Sequence, residues 1–355
     1  MEVKEGKIKI EIKEEKKISA KMPVFYNPKK QFDRNITLEI LKIFEKNKKE
    51  LVFCDLLSAS GIRALRFSSE LDNVKEIYAI DHNPIAFNKI KENIKSNKKA
   101  VKHKIIPIKE KAEKALYDIG KRFDYIDVDP FGSPNPFIDS SLNHIRNKNA
   151  LIAFTSTDSS ALVGTYPKTT LYEYQSKVSK TPFYHEAGIR ILAKKIIERA
   201  AEKEIALTPI FAYAKDDYFR IFFETDRGAN RCLKLLSDFK YYLYCRKCMN
   251  TKVISFEEIE KFCTCKNKFS VVGPVFAGNL WDLKYLKKME KSEFLKKIEE
   301  EAEINVPYYL HLPSYFKMKK QTIPKMDNII ADFKKQGFIV SRTHFDNNSI
   351  KLKKI

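Results

Sequence analysis

The chain has 355 residues, of which 43% are hydrophobic, so it is long enough for two domains with cores of their own and is not disordered. It carries 67 lysines and arginines against 46 acidic residues, and this net charge of +21 favours a polyanionic partner such as nucleic acid. No apolar run approaches the ~20 residues of a membrane span, and the charged start of the chain lacks the apolar core of a signal peptide. We therefore expect a cytoplasmic protein that works without a membrane.

The first predicted element is a strand in an N-terminal extension, residues 1–35. Residues 7–13 alternate strictly between polar and apolar side chains, which is the pattern of a half-buried β-strand. We expect a hairpin that brings Phe25 and Tyr26 toward the ligand-binding edge of the main domain, residues 36–240.

Two apolar runs of the main domain place a small-residue turn and an aspartate at one edge of a sheet. Residues 51–57 are followed by the turn 58–61, and residues 77–80 end in Asp81. Asp81 lies 20 residues after Gly61, the spacing at which an acidic strand end reaches the hydroxyl pair of a ribose. Ligands of open α/β sheets bind beyond the carboxyl ends of the strands, so we predict an adenosine site at this edge.

The glycine content of the turn distinguishes two cofactors. The turn has a single glycine, whereas the pyrophosphate of a dinucleotide needs three, so a nicotinamide-dependent oxidoreductase is the weaker interpretation. S-adenosylmethionine has no pyrophosphate. Residues 207–213 and 218–224 form a hairpin signature, and an antiparallel last strand of this kind resembles the seven-stranded, Rossmann-like sheet of S-adenosylmethionine-dependent methyltransferases. The predicted fold class is α/β.

The loop at residues 129–134 follows a buried strand, residues 123–128, and has the sequence Asp-Pro-Phe-Gly-Ser-Pro. The lone pair of a nucleobase amine is delocalised into its ring, so methyl transfer to it requires an oxygen acceptor for the N–H and stacking on the ring face. Asp129 can supply the acceptor and Phe131 the stacking. The alternative is an ordinary tight turn after a strand.

The polar stretch at residues 156–180 is predicted to be a long loop. Its residues Asp158 and Tyr166 either line a target pocket or belong to a loop that only satisfies its own backbone. A longer amphipathic helix is predicted to follow at residues 185–203.

Four of the six cysteines form two closely spaced pairs, which are separated by 14 residues: Cys245, Cys248, Cys263 and Cys265. This spacing is close to that of four thiolates that bind a structural Zn²⁺, and such a closed site would take no part in catalysis. Reduced thiols without metal, disulfides and an iron–sulfur cluster remain as alternatives. Cys54 and Cys232 are predicted to be buried in a strand and a helix.

The cysteine segment and its linker span residues 241–283. After it, residues 284–355 are predicted to form a small basic α+β domain, with 16 lysines and arginines against 9 acidic residues. Residues 326–336 predict a helix, and residues 338–340 and 350–352 predict a hairpin. Such a module either docks on an RNA backbone or only buttresses the catalytic domain.

A set of short motifs spans nearly the whole chain: Phe-Tyr-Asn-Pro at 25–28, Asp-Arg-Asn at 33–35, Leu-Ser-Ala-Ser-Gly-Ile-Arg at 57–63, Asp-His-Asn at 81–83, the loop 129–134, Thr-Ser-Thr-Asp at 155–158 and Ser-Arg-Thr-His-Phe at 341–345. In this set of motifs the chain resembles the tRNA (guanine-N2)-dimethyltransferases that modify guanine 26, the Trm1 family, in their archaeal form. The resemblance implies S-adenosylmethionine as methyl donor and tRNA as partner, with one or two methyl groups transferred to the exocyclic N2 of guanine 26.

The resemblance also implies the residues of the site. The cofactor would be bound by Arg34, Arg63, Asp81, Lys111 and Ala112. Members of the family often carry an acidic residue where Lys111 stands, so this chain departs from the pattern there. The target guanine would lie between Phe25 and Phe131, with Asp129 holding its N2.

The expected mechanism is an in-line attack of guanine N2 on the sulfonium methyl, without a covalent intermediate. The base must be extruded, because N2 is buried in a stacked nucleic acid. Arg34 and Arg63 would orient the methionine carboxylate or nearby backbone. Two other interpretations stay open: an RNA-binding module without transfer activity, and a metal pair formed by Asp127 and Asp129. No protein partner is indicated, and a monomer is expected.

Overall fold

The computed structural model describes residues 2–12, 22 and 24–355. The chain divides into two compact units. The first comprises residues 1–155 with 223–226 and 288–290, and the second comprises residues 156–222, 227–287 and 291–355.

An antiparallel hairpin opens the chain, with strands β1 (Glu2–Glu5) and β2 (Ile8–Glu11). Gly6 occupies the turn at φ +57°, a conformation that favours glycine. The alternation predicted for residues 7–13 is confirmed where the structure describes it, because Ile8 and Ile10 are buried and pack with residues of the first unit. Residue 13 lies outside the described residues.

A seven-stranded sheet forms the main layer. Its strands are β3 (Leu51–Asp55), β4 (Val74–Ile80), β5 (Lys104–Ile108), β6 (Tyr125–Val128), β7 (Leu151–Ser156), β8 (Ile205–Lys215) and β9 (Tyr218–Arg227). The order is β5-β4-β3-β6-β7-β9-β8, and the pairs from β5 to β7 are parallel. Two residues join the neighbouring strands β8 and β9, which only an antiparallel pair permits. The predicted α/β sheet with a terminal hairpin is therefore confirmed.

The parallel strands of the first unit alternate with helices. These are α1 (Gln31–Glu45), α2 (Ile62–Glu70), α3 (Pro84–Ser96), α4 (Ala112–Ile119) and α5 (Asn135–His144). A short 3₁₀ turn, Pro28–Lys30, leads into α1. The Asn83 side chain caps α3 by accepting from the backbone N–H of Ile85, and Pro84 occupies the first turn, where its missing N–H costs nothing.

The stretch between residues 156 and 180 is not the long loop that its polar composition predicted. It contains the helices α6 (Ser159–Leu162) and α7 (Pro167–Tyr174). Pro167 starts α7, and Thr170 and Tyr174 are buried, so packing of these two side chains outweighs the weak helix propensity of the segment. The predicted helix that follows is confirmed as α8 (Tyr184–Ala201).

The second unit also contains two three-stranded sheets and further helices. One sheet has the order β11-β10-β12 with β10 (Phe239–Tyr244), β11 (Thr251–Ile254) and β12 (Ser270–Phe276). The other has the order β13-β15-β14 with β13 (Leu310–His311), β14 (Phe338–Arg342) and β15 (Ser349–Lys354). The helices are α9 (Ala229–Leu236), α10 (Leu283–Leu286), α11 (Glu293–Ile304), α12 (Leu312–Lys319) and α13 (Met326–Lys335). The helix and hairpin predicted near the C-terminal end are confirmed as α13, β14 and β15.

Within the described residues, every helix is too short or too polar to cross a lipid bilayer.

Candidate active site

Asp129 lies directly after β6 and binds two cations. Its Oδ1 accepts a hydrogen bond from Lys30 Nζ at 3.0 Å, and its Oδ2 accepts one from Arg63 Nη2 at 2.7 Å. Its side chain keeps 20% of its surface exposed, so the carboxylate is held by the protein and still reachable by a ligand. Lys30 and Arg63 thus fix the orientation of the Asp129 carboxylate, which the sequence predicts to bind the amine of a nucleobase.

Arg63 is the charge at the centre of this region. In addition to Asp129, it binds Asp33 Oδ2 at 2.8 Å and Asp127 Oδ2 at 3.3 Å. Burial opposes its charge, but the carboxylates of Asp127, Asp33 and Asp129 outweigh burial and raise the pKa of Arg63 well above its usual value. The three acids and the arginine form one ion-pair cluster.

Asp127 is a structural member of the cluster. It is fully buried, and its Oδ2 also accepts a short hydrogen bond from the hydroxyl of Tyr125. Because Arg63 already stands between Asp127 and Asp129, the arrangement does not favour the alternative in which these two carboxylates bind a metal.

Asp55 is a further carboxylate, which sequence analysis did not single out. It ends β3 and is 2% exposed, and its Oδ2 has no hydrogen-bond partner. Burial raises the pKa of Asp55 to about 7, with Arg63 opposing the shift and Asp127 adding to it. The local signal was its position as the last residue of a buried strand before the small-residue turn.

Asp81 follows β4 and organises the turn after β3. Its Oδ2 accepts from the backbone N–H of Ala59 at 2.8 Å, and its Oδ1 accepts from that of Asn83 at 2.9 Å. Gly61 lies at φ +74° in this turn, and a Cβ there would come within 3.2 Å of Ile90 in α3, so glycine is required on both grounds. Since β3, β4 and β6 are parallel, Asp55 at the end of β3 lies at the same sheet edge as Asp81 and Asp129, which directly follow β4 and β6.

Lys111 and Ala112 begin the helix that follows β5. Lys111 is the exposed N-cap residue of α4 and makes no side-chain capping bond, whereas Ala112 is buried. The neighbouring acid is Glu110, whose carboxylate accepts from the backbone N–H of Lys111 at 2.8 Å and from Lys114 Nζ at 2.9 Å. An acidic side chain is therefore present at this strand end, one position before the expected one.

Phe25 and Phe131 are in direct contact. Their ring centroids are 4.5 Å apart, with an interplanar angle of 82°, which is an edge-to-face arrangement. Phe131 is 52% exposed, which is unusual for a phenylalanine. Two residues that are 106 positions apart in the sequence are thus brought together at the loop that carries Asp129.

Arg34 binds the N-terminal hairpin. Its guanidinium pairs with Glu5, which also accepts from Tyr26 Oη at 2.7 Å and from Arg66 Nη1 at 3.2 Å. Burial raises the pKa of Glu5, but these partners, led by Arg34, outweigh it and leave the pKa below its usual value. Through Tyr26 the network also holds the segment that carries Phe25.

The structure thus joins some predicted residues directly and connects others through partners that local patterns did not reveal. Arg63 contacts Asp129, and Phe25 contacts Phe131. The partners missed by sequence analysis are Glu5, Lys30, Asp33 and Asp55.

The four predicted cysteines converge. All are free thiols, and their Sγ atoms lie within 4.8 Å of one another. Sγ–Sγ distances of 3.4 Å (Cys245–Cys265) and 3.5 Å (Cys248–Cys263) are near the edge of about 3.8 Å of a tetrahedron with Zn–S bonds of about 2.3 Å. The backbone N–H of Cys265 lowers the pKa of Cys263 to about 6.

The motif at residues 341–345 holds the end of α11. Glu301 of α11 is fully buried and accepts from Thr343 Oγ1 at 3.0 Å, and it lies 2.7 Å from the Nδ1 of His344. The buried Lys351 lies between Glu186 Oε1 at 2.6 Å and Glu301 Oε2 at 3.5 Å. This motif therefore serves the internal structure of the second unit.

Comparison with known proteins places these features in one family. The profile of the family described as N2,N2-dimethylguanosine tRNA methyltransferase matches residues 6–354. The tRNA (guanine(26)-N(2)/guanine(27)-N(2))-dimethyltransferase of Aquifex aeolicus is 37% identical over 97% of this chain and 90% of that protein. The tRNA (guanine(26)-N(2))-dimethyltransferase of Archaeoglobus fulgidus is 33% identical over 97% of this chain and 93% of that protein.

A solved structure agrees over the full length. The structure of Trm1 from Pyrococcus horikoshii with S-adenosyl-L-methionine superimposes with a TM-score of 0.87 at 28% identity, covering 100% of this chain and 97% of that one. The match of the profile and of the fold over the whole chain shows that this protein belongs to the N2,N2-dimethylguanosine tRNA methyltransferase family.

Proposed function

We propose that this chain is a tRNA methyltransferase that transfers one and then a second methyl group from S-adenosylmethionine to the exocyclic N2 of guanine 26. The single observation that carries the proposal is Asp129, held at a strand end by Arg63 and Lys30 with part of its surface exposed beside Phe131. A tRNA substrate also fits the charge of +21 and implies a cytoplasmic location.

The residues at the sheet edge fit the methyl donor. Asp81 has lone pairs left for the ribose hydroxyls, and the turn at residues 58–61 brings backbone close to a ligand. Asp55 Oδ2, which is buried without a partner, would accept from the methionine ammonium group. Glu110 or the backbone at Lys111 and Ala112 would contact the adenine, and Arg34 and Arg63 would lie near the methionine carboxylate. S-adenosylmethionine supplies the electrophilic sulfonium methyl.

Asp129 and the two phenylalanines act on the base. Asp129 accepts an N–H of the amine and thereby orients the N2 lone pair for an in-line attack. Methylation turns the amine into a strongly acidic ammonium, so a carboxylate flanked by two cations is basic enough to receive its proton. Phe25 and Phe131 must separate from their 4.5 Å contact before a base can stack between them.

Nucleoside mass spectrometry tests the proposal. Unmodified tRNA transcript incubated with the protein and methyl donor should yield N2-methylguanosine and then N2,N2-dimethylguanosine, and a transcript with adenosine at position 26 should yield none. Product on position 27 in that transcript would extend the specificity to the pair of positions named for the Aquifex relative. Tight tRNA binding without any methylated product would support the binding-module alternative, and binding of a nicotinamide cofactor in place of the methyl donor would support the oxidoreductase.

Asp55 predicts a pH dependence of cofactor binding. The methionine ammonium binds an ionised carboxylate, and the pKa of Asp55 in the protein is about 7, so S-adenosylmethionine affinity should rise with pH by up to about tenfold per unit below pH 7 and level off above it. Calorimetry at pH values from about 5.5 to about 8.5 measures this affinity. The Asp55→Asn variant should lose the dependence. His82→Gln, which removes an exposed imidazole 4.0 Å from Asp81, should keep it, and the opposite pattern would contradict the role of Asp55.

We further propose that Cys245, Cys248, Cys263 and Cys265 bind one structural Zn²⁺. Support comes from the Sγ spacing and from two amide groups, of Asn250 and Asn267, that lie 3.7 Å from Cys263 and Cys245 Sγ. Four thiolates leave no open coordination position, so the ion would stabilise the chain around β10, β11 and β12 without chemistry of its own.

The zinc proposal predicts one equivalent of metal in protein purified without chelator. Cys248→Ser should reduce zinc content strongly and lower the melting temperature, because binding energy at such sites is folding energy. Cys232→Ser changes a buried cysteine outside the cluster and should leave the zinc content unchanged. Elemental analysis by mass spectrometry decides, and metal-free wild-type protein with an unchanged melting temperature would contradict the site.

A further inference from the structure

A cavity of about 540 Å³ lies entirely among residues of the second unit. Its lining includes residues 180–182, the start of α8 and the start of α12. Its volume is within the range of small-ligand sites. None of its residues has a role in the proposed methyl transfer.

Two helix N-termini meet at this cavity. α8 has 18 residues and begins at Tyr184, and its N-cap residue, Phe183, makes no side-chain hydrogen bond to the first N–H groups. α12 begins after His311, whose ring accepts from the backbone N–H of Ser314 and so caps this helix, which leaves α8 as the N-terminus of the two without a side-chain cap. Helix N-termini attract anions through unpaired N–H groups and the helix dipole. Glu186 in the first turn of α8 does not cancel this field, because it is buried against Arg190 and Lys351.

Unpaired polar groups line the same cavity. Lys180 and Arg246 have no ion-pair partner in the described part of the chain. Thr181 is 6% exposed, and its hydroxyl is buried without a hydrogen-bond partner, a condition that a ligand oxygen would relieve. The acid of the cavity, Asp346, is engaged by the hydroxyl of Ser349 and the backbone N–H of Asn348. These neutral donors leave Asp346 charged, but Lys180 and Arg246 outnumber it, so cations are in excess in the cavity.

Aromatic rings complete the lining. Tyr184 is 40% exposed and lies with its ring centroid 4.3 Å from that of His185. Tyr309 and Phe345, which also line the cavity, are stacked on each other and buried. His185, His311 and Asp346 are not among the described groups whose ligand atoms converge closely enough to hold a metal. An exposed ring beside an anion site is the combination that binds a single-stranded nucleotide.

We propose that this cavity binds one unstacked nucleotide of the RNA substrate, other than the guanine that is methylated. Its phosphate contacts Lys180, Arg246, the Thr181 hydroxyl and the N-terminus of α8, and its base stacks on Tyr184. That this RNA is a tRNA rests on the proposed function. The chemistry of the cavity is independent of that function.

Charge removal is the first test. The double variant Lys180→Met, Arg246→Gln should weaken binding of unmodified tRNA transcript roughly tenfold or more. It should also reduce the slope of log Kd against log salt by about one. We expect a higher KM for tRNA with kcat and S-adenosylmethionine affinity near wild-type. Lys287→Met removes an exposed lysine of the second unit outside the cavity and should change neither the affinity nor the slope.

The stacking surface is tested separately. Tyr184→Ala should weaken tRNA binding roughly 5- to 150-fold, as expected for the loss of one base–aromatic stack. Tyr184→Phe keeps the ring and should bind like wild type. Equal losses in both variants would overturn the stack.

Cofactor affinity and melting temperature establish that each variant is folded. Unchanged tRNA affinity in folded cavity variants overturns the proposal, as does an equal loss in Lys287→Met. Micromolar binding of adenosine 5′-monophosphate with unchanged tRNA affinity would assign the cavity to a free nucleotide and also overturns it. If the wild type transfers methyl groups and the cavity variants bind tRNA as it does, this inference alone fails. If the wild type transfers no methyl group but the cavity variants bind RNA more weakly, the proposed function alone fails.

Discussion

Replacing Asp129 by asparagine is expected to reduce methyl transfer by roughly 100- to 10,000-fold, the range attributed to a positioned proton acceptor. Asparagine keeps the size of the side chain and one oxygen, but it loses the charge that accepts the amine N–H and its proton. Arg63 retains Asp33 and Asp127 in the variant, so the cluster remains paired and the protein should fold. Single-turnover transfer of labelled methyl to tRNA measures the effect.

The matched control lies at the other end of the same strand. Asp124 precedes β6 and binds Arg146 at 2.8 Å and the backbone N–H of Val52 at 2.9 Å. Asp124→Asn makes the same chemical change away from the carboxyl edge and should retain turnover. S-adenosylmethionine affinity should be near wild-type in both variants. Transfer by Asp129→Asn within tenfold of wild type would remove this residue from the reaction.

Residues whose position follows from local sequence could be placed in advance. Asp129 and Asp81 each follow an apolar strand, and the carboxyl ends of parallel strands share an edge, so position along the chain is enough to place them together. The cysteine pairs are a second case, because short spacing within each pair already restricts where the thiols can lie. The turn at residues 58–61, the loop at residues 129–134 and the hairpin of β8 and β9 were predicted from similar local patterns.

The partners of these residues could not be predicted in this way. Lys30 reaches Asp129 across 99 positions, and Glu5 reaches Arg34 across 29. Charged residues are frequent throughout this chain, and nothing local distinguishes a lysine that is 6% exposed from one in solvent. Tertiary packing decides such pairs, as it does for α7, whose buried Thr170 and Tyr174 form a helix in a segment of loop-like composition.

The burial of the central cluster makes Arg63→Met the substitution with the largest expected effect on stability. Asp33 and Asp127 are fully buried and Asp55 is 2% exposed, so loss of the shared cation leaves carboxylates desolvated and close to one another. Removing one partner of a buried ion pair costs about 3–5 kcal/mol, and here several partners are affected. Chemical denaturation at pH 8 should show a loss of at least this size. Arg146→Met breaks the pair of a half-exposed arginine with Asp124, which keeps the backbone N–H of Val52 as a partner, and should cost clearly less than Arg63→Met.

The pH dependence distinguishes charge repulsion from loss of packing. Without Arg63, the buried carboxyls have folded-state pKa values above their unfolded ones, and such groups lose stability as pH rises through the folded pKa. The difference between the variant and wild type should therefore be largest near pH 8 and shrink toward pH 5, where these carboxyls become protonated. Glu5 does not obscure the trend, because its pKa is lowered and its contribution is lost only as pH falls below the usual glutamate range. If the difference in free energy of unfolding is constant between pH 5 and pH 8, Arg63 stabilises the fold through packing of its side chain. Repulsion among the carboxylates would then play no part.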